Sequence, residues 1–201
     1  MYLVTGATGF VGSAVARQLL ARGDTVRVLS RAGSDQTNIR DLDVEVVEGD
    51  LLKPETLCDA VEGCDGVFHV AADYRLWTRN PESMFRTNVD GSRAIVHAAL
   101  SAGVGRIVYT SSVAVLGSVP GGAADEETPV TYAEMIGPYK RSKFRADEAV
   151  RQLIEEKGAP VVIVNPSTPI GPRDVKPTPT GRVIVEAACG KMPAYVDTGL
   201  N

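Results

Sequence analysis

Tyr139 and Lys143 stand four residues apart in the run Tyr139-Lys140-Arg141-Ser142-Lys143, a spacing that puts both on one face of a helix. A lysine ammonium beside a phenol favours the phenolate and lowers its pKa from about 10 toward neutrality. Such a pair is a proton donor and acceptor suited to interconverting an alcohol and a ketone. Upstream, Tyr109-Thr110-Ser111-Ser112 closes an apolar run. A serine there can hydrogen-bond the reacting oxygen, although serines at strand ends ordinarily cap or turn the chain.

A second motif lies near the start of the chain, at Thr5-Gly6-Ala7-Thr8-Gly9-Phe10-Val11-Gly12. Glycine lets the backbone turn sharply and lets a pyrophosphate approach the amides without a Cβ in the way. A helix opening there offers the anion its free N–H groups and positive dipole end. The spacing is Gly-x-x-Gly-x-x-Gly, not the commoner Gly-x-Gly-x-x-Gly. Its place between a strand and an amphipathic helix makes it a dinucleotide-binding turn. The residues so assigned are Gly6, Thr8, Gly9, Phe10, Val11 and Gly12.

The ribose-reading position falls about 20 residues on, at the end of the second strand. An acidic residue would accept from the 2′-hydroxyl of NAD, but the sequence has Ser30-Arg31. A guanidinium suits a 2′-phosphate, so NADP is expected, with NAD as the alternative. Asp50, in Glu48-Gly49-Asp50-Leu51, is assigned with Leu51 to the adenine end. Its carboxylate either accepts from the adenine amine or caps a local turn.

The elements that must position these groups are legible as alternation. Strands are expected at Tyr2–Thr5, Thr25–Ser30, Val44–Glu48, Gly66–Val70, Arg106–Ser111 and Pro160–Asn165. Most are apolar nearly throughout, as in a parallel sheet buried on both faces. Helices are expected over Phe10–Arg22, from Asn80 to about Gly103, and from Pro138 to about Lys157. The pattern implies an α/β, doubly wound parallel Rossmann sheet, in order 3-2-1-4-5-6 with right-handed crossovers. Two loops interrupt it, 117–138 and the proline-rich 166–181, both following strands and so both leaving the ligand-binding edge. Residues 1–165 are expected to form the dinucleotide-binding domain and 166–201 the start of a substrate-binding portion. Ala194-Tyr195-Val196 is expected to open an ordered segment, with the chain either cut short at Asn201 or continuing beyond it.

Composition narrows the function classes. Lysine plus arginine total 21 against 25 acidic residues, a net charge of −4 that gives no basic footprint for nucleic acid. No apolar run approaches the roughly 20 residues that span a bilayer, and the first residues do not read as a signal peptide. The three cysteines, Cys58, Cys64 and Cys189, show no metal-ligand spacing. They are expected to be reduced thiols in a cytoplasmic protein with no metal.

Glycine turn, strand-end serine and Tyr-x-x-x-Lys in this order resemble an extended short-chain dehydrogenase/reductase, in the NAD-dependent epimerase/dehydratase family. That group includes nucleotide-sugar epimerases, dehydratases and dihydroflavonol reductases. The resemblance implies a catalytic set of Ser112, Tyr139 and Lys143. Ser112 is the match because Ser112-Val113-Ala114-Val115-Leu116-Gly117 is similar to the family's Ser-x-x-Val-Tyr-Gly, with Leu116 replacing its frequent tyrosine. It implies that Val70, Ala71 and Ala72 pass under the cofactor, and that Asn88 is the active-site asparagine. Asn165-Pro166-Ser167 stands where most relatives have Arg-Pro, and Pro166 and Ser167 are assigned to the cofactor. Longer stretches resemble the hopanoid-associated sugar epimerase group: His69 to Trp77, Gly137 to Phe144, Val161 to Arg182, and Met192 to Asn201. This implies a role in hopanoid lipid biosynthesis and a further substrate lobe.

The expected mechanism moves a hydride between nicotinamide and a carbinol carbon. Tyr139 transfers the proton, Ser112 holds the oxygen, and Lys143 tunes Tyr139 and grips the nicotinamide ribose. The substrate is expected to be a small molecule, a sugar nucleotide or a lipid-linked sugar or ketone, with a homodimer left open. The alternatives are an NADPH-dependent ketoreductase and a non-catalytic dinucleotide sensor. His69 reads as a satisfied core residue. Tyr74, Arg75 and Trp77 line a pocket or pack a loop. Arg173, Lys176 and Arg182 read as solvated cations rather than phosphate ligands, and Asp125–Glu127 as solvated surface.

Overall fold

A computed structural model describes residues 1–194. Tyr195 and Val196 of the expected ordered segment, and Asn201, lie outside the described residues. Six strands are present: β1 (Tyr2–Thr5), β2 (Val26–Ser30), β3 (Glu45–Glu48), β4 (Gly66–His69), β5 (Arg106–Thr110) and β6 (Val161–Val164). They form one sheet in the order β3-β2-β1-β4-β5-β6, and every pairing is parallel. The strand order and fold class are those expected from the sequence, each strand lying within a residue of its expected ends.

The helices are α1 (Phe10–Ala21), α2 (Leu57–Val61), α3 (Pro81–Phe85), α4 (Gly91–Ser101), α5 (Gly137–Lys157) and α6 (Pro179–Ala188). Alternation along each strand sends successive side chains to opposite faces. Leu3, Val67 and Ile107 pack with residues of α2, α4 and α5, including Leu57, Ile95 and Leu153. Val4 and Val28 pack with Ala16 and Leu19 of α1 on the other face. The sheet is therefore covered on both sides at its centre, but not at its edges. Val46 on β3 is 44% exposed, and Val162 and Val164 on β6 are 46% and 38% exposed. Apolar runs had suggested burial on both faces. On these edge strands that fails, because α1 packs over the central strands only.

Three further differences bear on the site. The helix expected from Asn80 to Gly103 is not continuous: a π-helical turn, Arg86–Asp90, joins α3 to α4. Asn80 still opens it as expected, its Oδ1 accepting from Ser83 N at 3.2 Å. The short α2 was missed, although Pro54 opens its leading turn and Leu57, Ala60 and Val61 are all buried. The proline-rich stretch 166–181 is not wholly loop, since α6 begins at Pro179 with Thr178 as its cap.

Candidate active site

The assigned residues gather at the carboxyl edge of the sheet, where doubly wound folds bind ligands. Gly6 leaves β1 with φ +72°, and a Cβ there would sit 2.7 Å from Ala71 N. A Cβ on Gly12 would sit 2.2 Å from the Gly6 carbonyl oxygen. Turn, α1 and the end of β4 thus approach so closely that no side chain fits. Gly9 caps α1 with no side-chain hydrogen bond, which leaves the first-turn amides of Phe10, Val11 and Gly12 to an outside acceptor. Asn38, which sequence reasoning missed, donates its Nδ2 to Thr8 O at 3.1 Å. Arg17 in turn binds Asn38 O at 3.0 Å and the Asp41 carboxylate. This clamp holds the turn against the segment following β2; nothing in the hydrophobic pattern marks it.

Arg31 is exposed at the end of β2. It lines a cleft of about 400 Å³ with Ser34, Glu48, Asp50, Lys53 and Thr56 among its walls. Of the two roles open to Asp50, the structure shows the local one: Oδ1 accepts from Leu52 N at 2.9 Å. Leu51, assigned with Asp50 to the adenine end, is 8% exposed, and its side chain belongs to the core with Leu57 and Ala60.

The adjacent serines part company. Ser111 is buried and donates to Asp147 Oδ1 at 2.6 Å. Ser112 caps a short 3-10 turn, accepting from Ala114 N at 3.1 Å, and its hydroxyl lies on the side of the Tyr139 phenol, where it favours the phenolate. Tyr139 sits in the first turn of α5, where Pro138 helps open the helix. Asn165 Nδ2 donates to Ser112 O at 3.1 Å, and Val113 N reaches Pro166 O at 3.3 Å. The loop after β6 thereby holds the serine in place; Ser167 is exposed beside it.

Lys143 is brought to the same region but not to Tyr139. Lys143 is 2% exposed, and its ammonium donates to Tyr109 Oη at 3.2 Å and Thr110 O at 2.9 Å. The expected lowering of the Tyr139 pKa by Lys143 is therefore corrected. Burial pushes the phenol above its ordinary value, offset in part by the Ser112 hydroxyl. Lys143 itself is lowered to about 8 by burial, with Asp147 opposing. A spacing of four residues places two side chains on one helix face, but their long stems can still diverge.

Asn88 lies in the π-helical turn, 1% exposed. It accepts from Asp73 N at 2.7 Å, and donates to Asp73 O at 3.0 Å and Ser142 Oγ at 2.9 Å. It pins the loop after β4 to α5, and the widened turn lets it reach inward. Above it Tyr74 and Trp77 are exposed, at 45% and 71%, and Arg75 pairs with Asp73.

His69 is the core residue expected, and its partners define its tautomer. Thr5 Oγ1 accepts from Val70 N and Ala71 N, both at 3.2 Å, so its proton goes to His69 Nδ1 at 2.8 Å. His69 Nε2 then donates to Ser92 Oγ at 2.9 Å. Burial, and next the Lys143 charge, lower the imidazole to about 3. The unfolded chain protonates it near 6.5, so between pH 6.5 and 3 the unfolded state binds more protons and stability falls as pH falls. The slope contributed is about 1.4 kcal/mol per pH unit. Denaturant titrations at pH 7 and 5 should show it in wild type, and a flatter dependence in His69→Gln; parallel profiles would contradict it.

The fold is a doubly wound parallel α/β sheet, with Ser112, Tyr139 and Lys143 brought toward its carboxyl edge. Residues 2–192 match the NAD dependent epimerase/dehydratase family, and the chain belongs to that family. It is 47% identical, over 100% of its length and 58% of the relative's, to a putative dihydroflavonol 4-reductase of Synechocystis sp.. It is 39% identical to sterol demethylase protein B of Methylococcus capsulatus, over 96% of this chain and 59% of that one. Among solved structures it resembles a dTDP-glucose 4,6-dehydratase from Streptomyces venezuelae with NAD bound, at 29% identity and TM-score 0.82. That likeness covers 94% of this chain and 62% of the other. The chain thus spans about three fifths of the length of these relatives. Among the described residues no helix is long and apolar enough to cross a membrane.

Proposed function

We propose that this chain is the cofactor-binding part of an NAD(P)-dependent oxidoreductase of the epimerase/dehydratase type, acting at a carbinol carbon. The observation that carries this is the meeting of Ser112, at the end of β5, and Tyr139, in the first turn of α5, at the sheet edge that also bears the side-chain-free Gly6–Gly12 turn. The turn fits a pyrophosphate, because the space a Cβ would take is closed while the first α1 amides remain open. A bound nicotinamide would supply hydride exchange. The chain's own residues do the rest: Tyr139 gives or takes the proton, and Ser112 orients the oxygen. Two of the three Lys143 protons are taken among the described residues, and the third is available to a ribose hydroxyl. Residues 166–201 are read as the opening of the substrate-binding portion, and the absence of disulfides among Cys58, Cys64 and Cys189 supports cytoplasmic residence.

For the substrate, the dehydratase likeness supports a sugar nucleotide. The sterol-named relative and the hopanoid-group resemblance support a lipid-linked sugar or ketone in hopanoid biosynthesis. Mass spectrometry of small molecules that copurify with full-length protein tests this. A retained sugar nucleotide or polycyclic lipid supports the corresponding class, and an unrelated ligand held in stoichiometric amount contradicts both.

A second reading, a ketoreductase, is favoured by one observation. Arg31 lines the cleft after β2 together with Lys53, a setting suited to the 2′-phosphate of NADP. One charge-assisted contact is worth roughly 1.5–3 kcal/mol, or about ten- to a hundredfold in affinity. The expected result is that full-length protein prefers NADPH and that Arg31→Asp reverses the preference in competition titrations. Strong preference of the wild type for NADH would remove the Arg31 role. It would also favour the tightly held cofactor of an epimerase.

A further inference from the structure

We propose that Tyr109 is the positioning residue for the Lys143 ammonium. This rests on the reading of Lys143 as the site lysine. Tyr109 lies on β5, 1% exposed, and its ring is 4.8 Å from Lys143 Nζ, close enough for attraction between the ammonium and the ring face. Its hydroxyl accepts from that ammonium at 3.2 Å.

Ser92 Oγ donates to Asn88 O at 2.6 Å and so accepts from His69 Nε2. His69 stacks on Tyr109 at 5.8 Å between ring centroids, and through Thr5 it holds the amides of Val70 and Ala71. The ring that receives the ammonium thus packs on a histidine fixed to the backbone that flanks the glycine turn. The titratable groups around the ammonium are Tyr109 from β5, His69 from β4, and Asp147 and Tyr139 from its own helix, while α4 contributes the Ser92 hydroxyl.

The test is the titration of Lys143 Cε by NMR in full-length, lysine-labelled protein, with the resonance assigned by Lys143→Arg. Tyr109→Phe keeps the ring and removes the acceptor, which disfavours the charged form. The Lys143 midpoint should fall by about one pH unit. A Tyr109→Phe midpoint within 0.2 unit of wild type (roughly the error of such a titration, well under the one unit expected) overturns the proposal. Where Tyr109→Phe does not fold, wild type decides: a nuclear Overhauser contact between Lys143 Cε protons and the Tyr109 ring is expected, and its absence overturns the contact.

NADPH affinity measured across the same pH range separates this proposal from the ribose role. If the Lys143 midpoint moves while the affinity profile does not, Tyr109 still positions the lysine and only the ribose grip is lost.

Discussion

Tyr139→Phe should cut turnover of the full-length protein by about 10²- to 10⁴-fold, the range over which a positioned proton donor contributes. Dinucleotide affinity should stay within a few-fold of wild type. The split follows from the layout of the site. The phenol stands in the first turn of α5, on the side of Ser112, whereas the anion-binding turn is built from Gly6–Gly12 and the open end of α1. Phe keeps the ring in the first turn of α5, so packing is conserved and only the transferable proton is removed. Turnover and affinity measured on the same preparation separate the two roles. A variant with near-wild-type turnover would remove Tyr139 from the chemistry, and one that had also lost dinucleotide binding would show that the ring supports the cofactor.

Gly6→Ala should do the opposite, damaging binding and stability together. The residue sits at φ +72°, which costs an L side chain roughly 1–2 kcal/mol. The new Cβ would meet Ala71 N at 2.7 Å and Ala71 Cα at 2.8 Å, and such overpacking costs a further 1–3 kcal/mol or so. The neighbour cannot yield easily, because Ala71 N is bonded to Thr5 Oγ1. The expected outcome is a loss of about 2–5 kcal/mol in denaturant-measured stability, with dinucleotide affinity down at least about tenfold. A loss below about 1 kcal/mol would mean that β1 and β4 separate more readily than their shared hydrogen bonds imply.

These two positions also show what is legible in such a sequence. Gly6 and its turn were readable because local backbone geometry alone demands glycine there, and the strands because β-branched runs bounded by turns admit few alternatives. Ser112 was separated from Ser111 by motif, and the structure gives the physical reason, since Ser111 is spent on Asp147. What was not legible is long-range and polar. The clamp of Asn38 on Thr8 spans 30 residues, and the Lys143–Tyr109 bond spans 34. No periodicity records either. The four-residue spacing of Tyr139 and Lys143 was read correctly as one helix face, yet the buried acceptors of β5 decide where the ammonium goes. Leu51 was placed by its neighbourhood to Asp50, but adjacent residues diverge, and its side chain belongs to the core. The edges of the sheet misled for a related reason: an apolar strand is two-sided only where a helix covers each face.

Calorimetric titration of the full-length protein with NADPH and with NADH tests the central claim most directly. The expected result is saturable binding of one dinucleotide per chain at the Gly6–Gly12 turn, tighter for NADPH, and weakened by Gly6→Ala but not by Tyr139→Phe. A folded protein that takes up neither dinucleotide at millimolar concentration would contradict it.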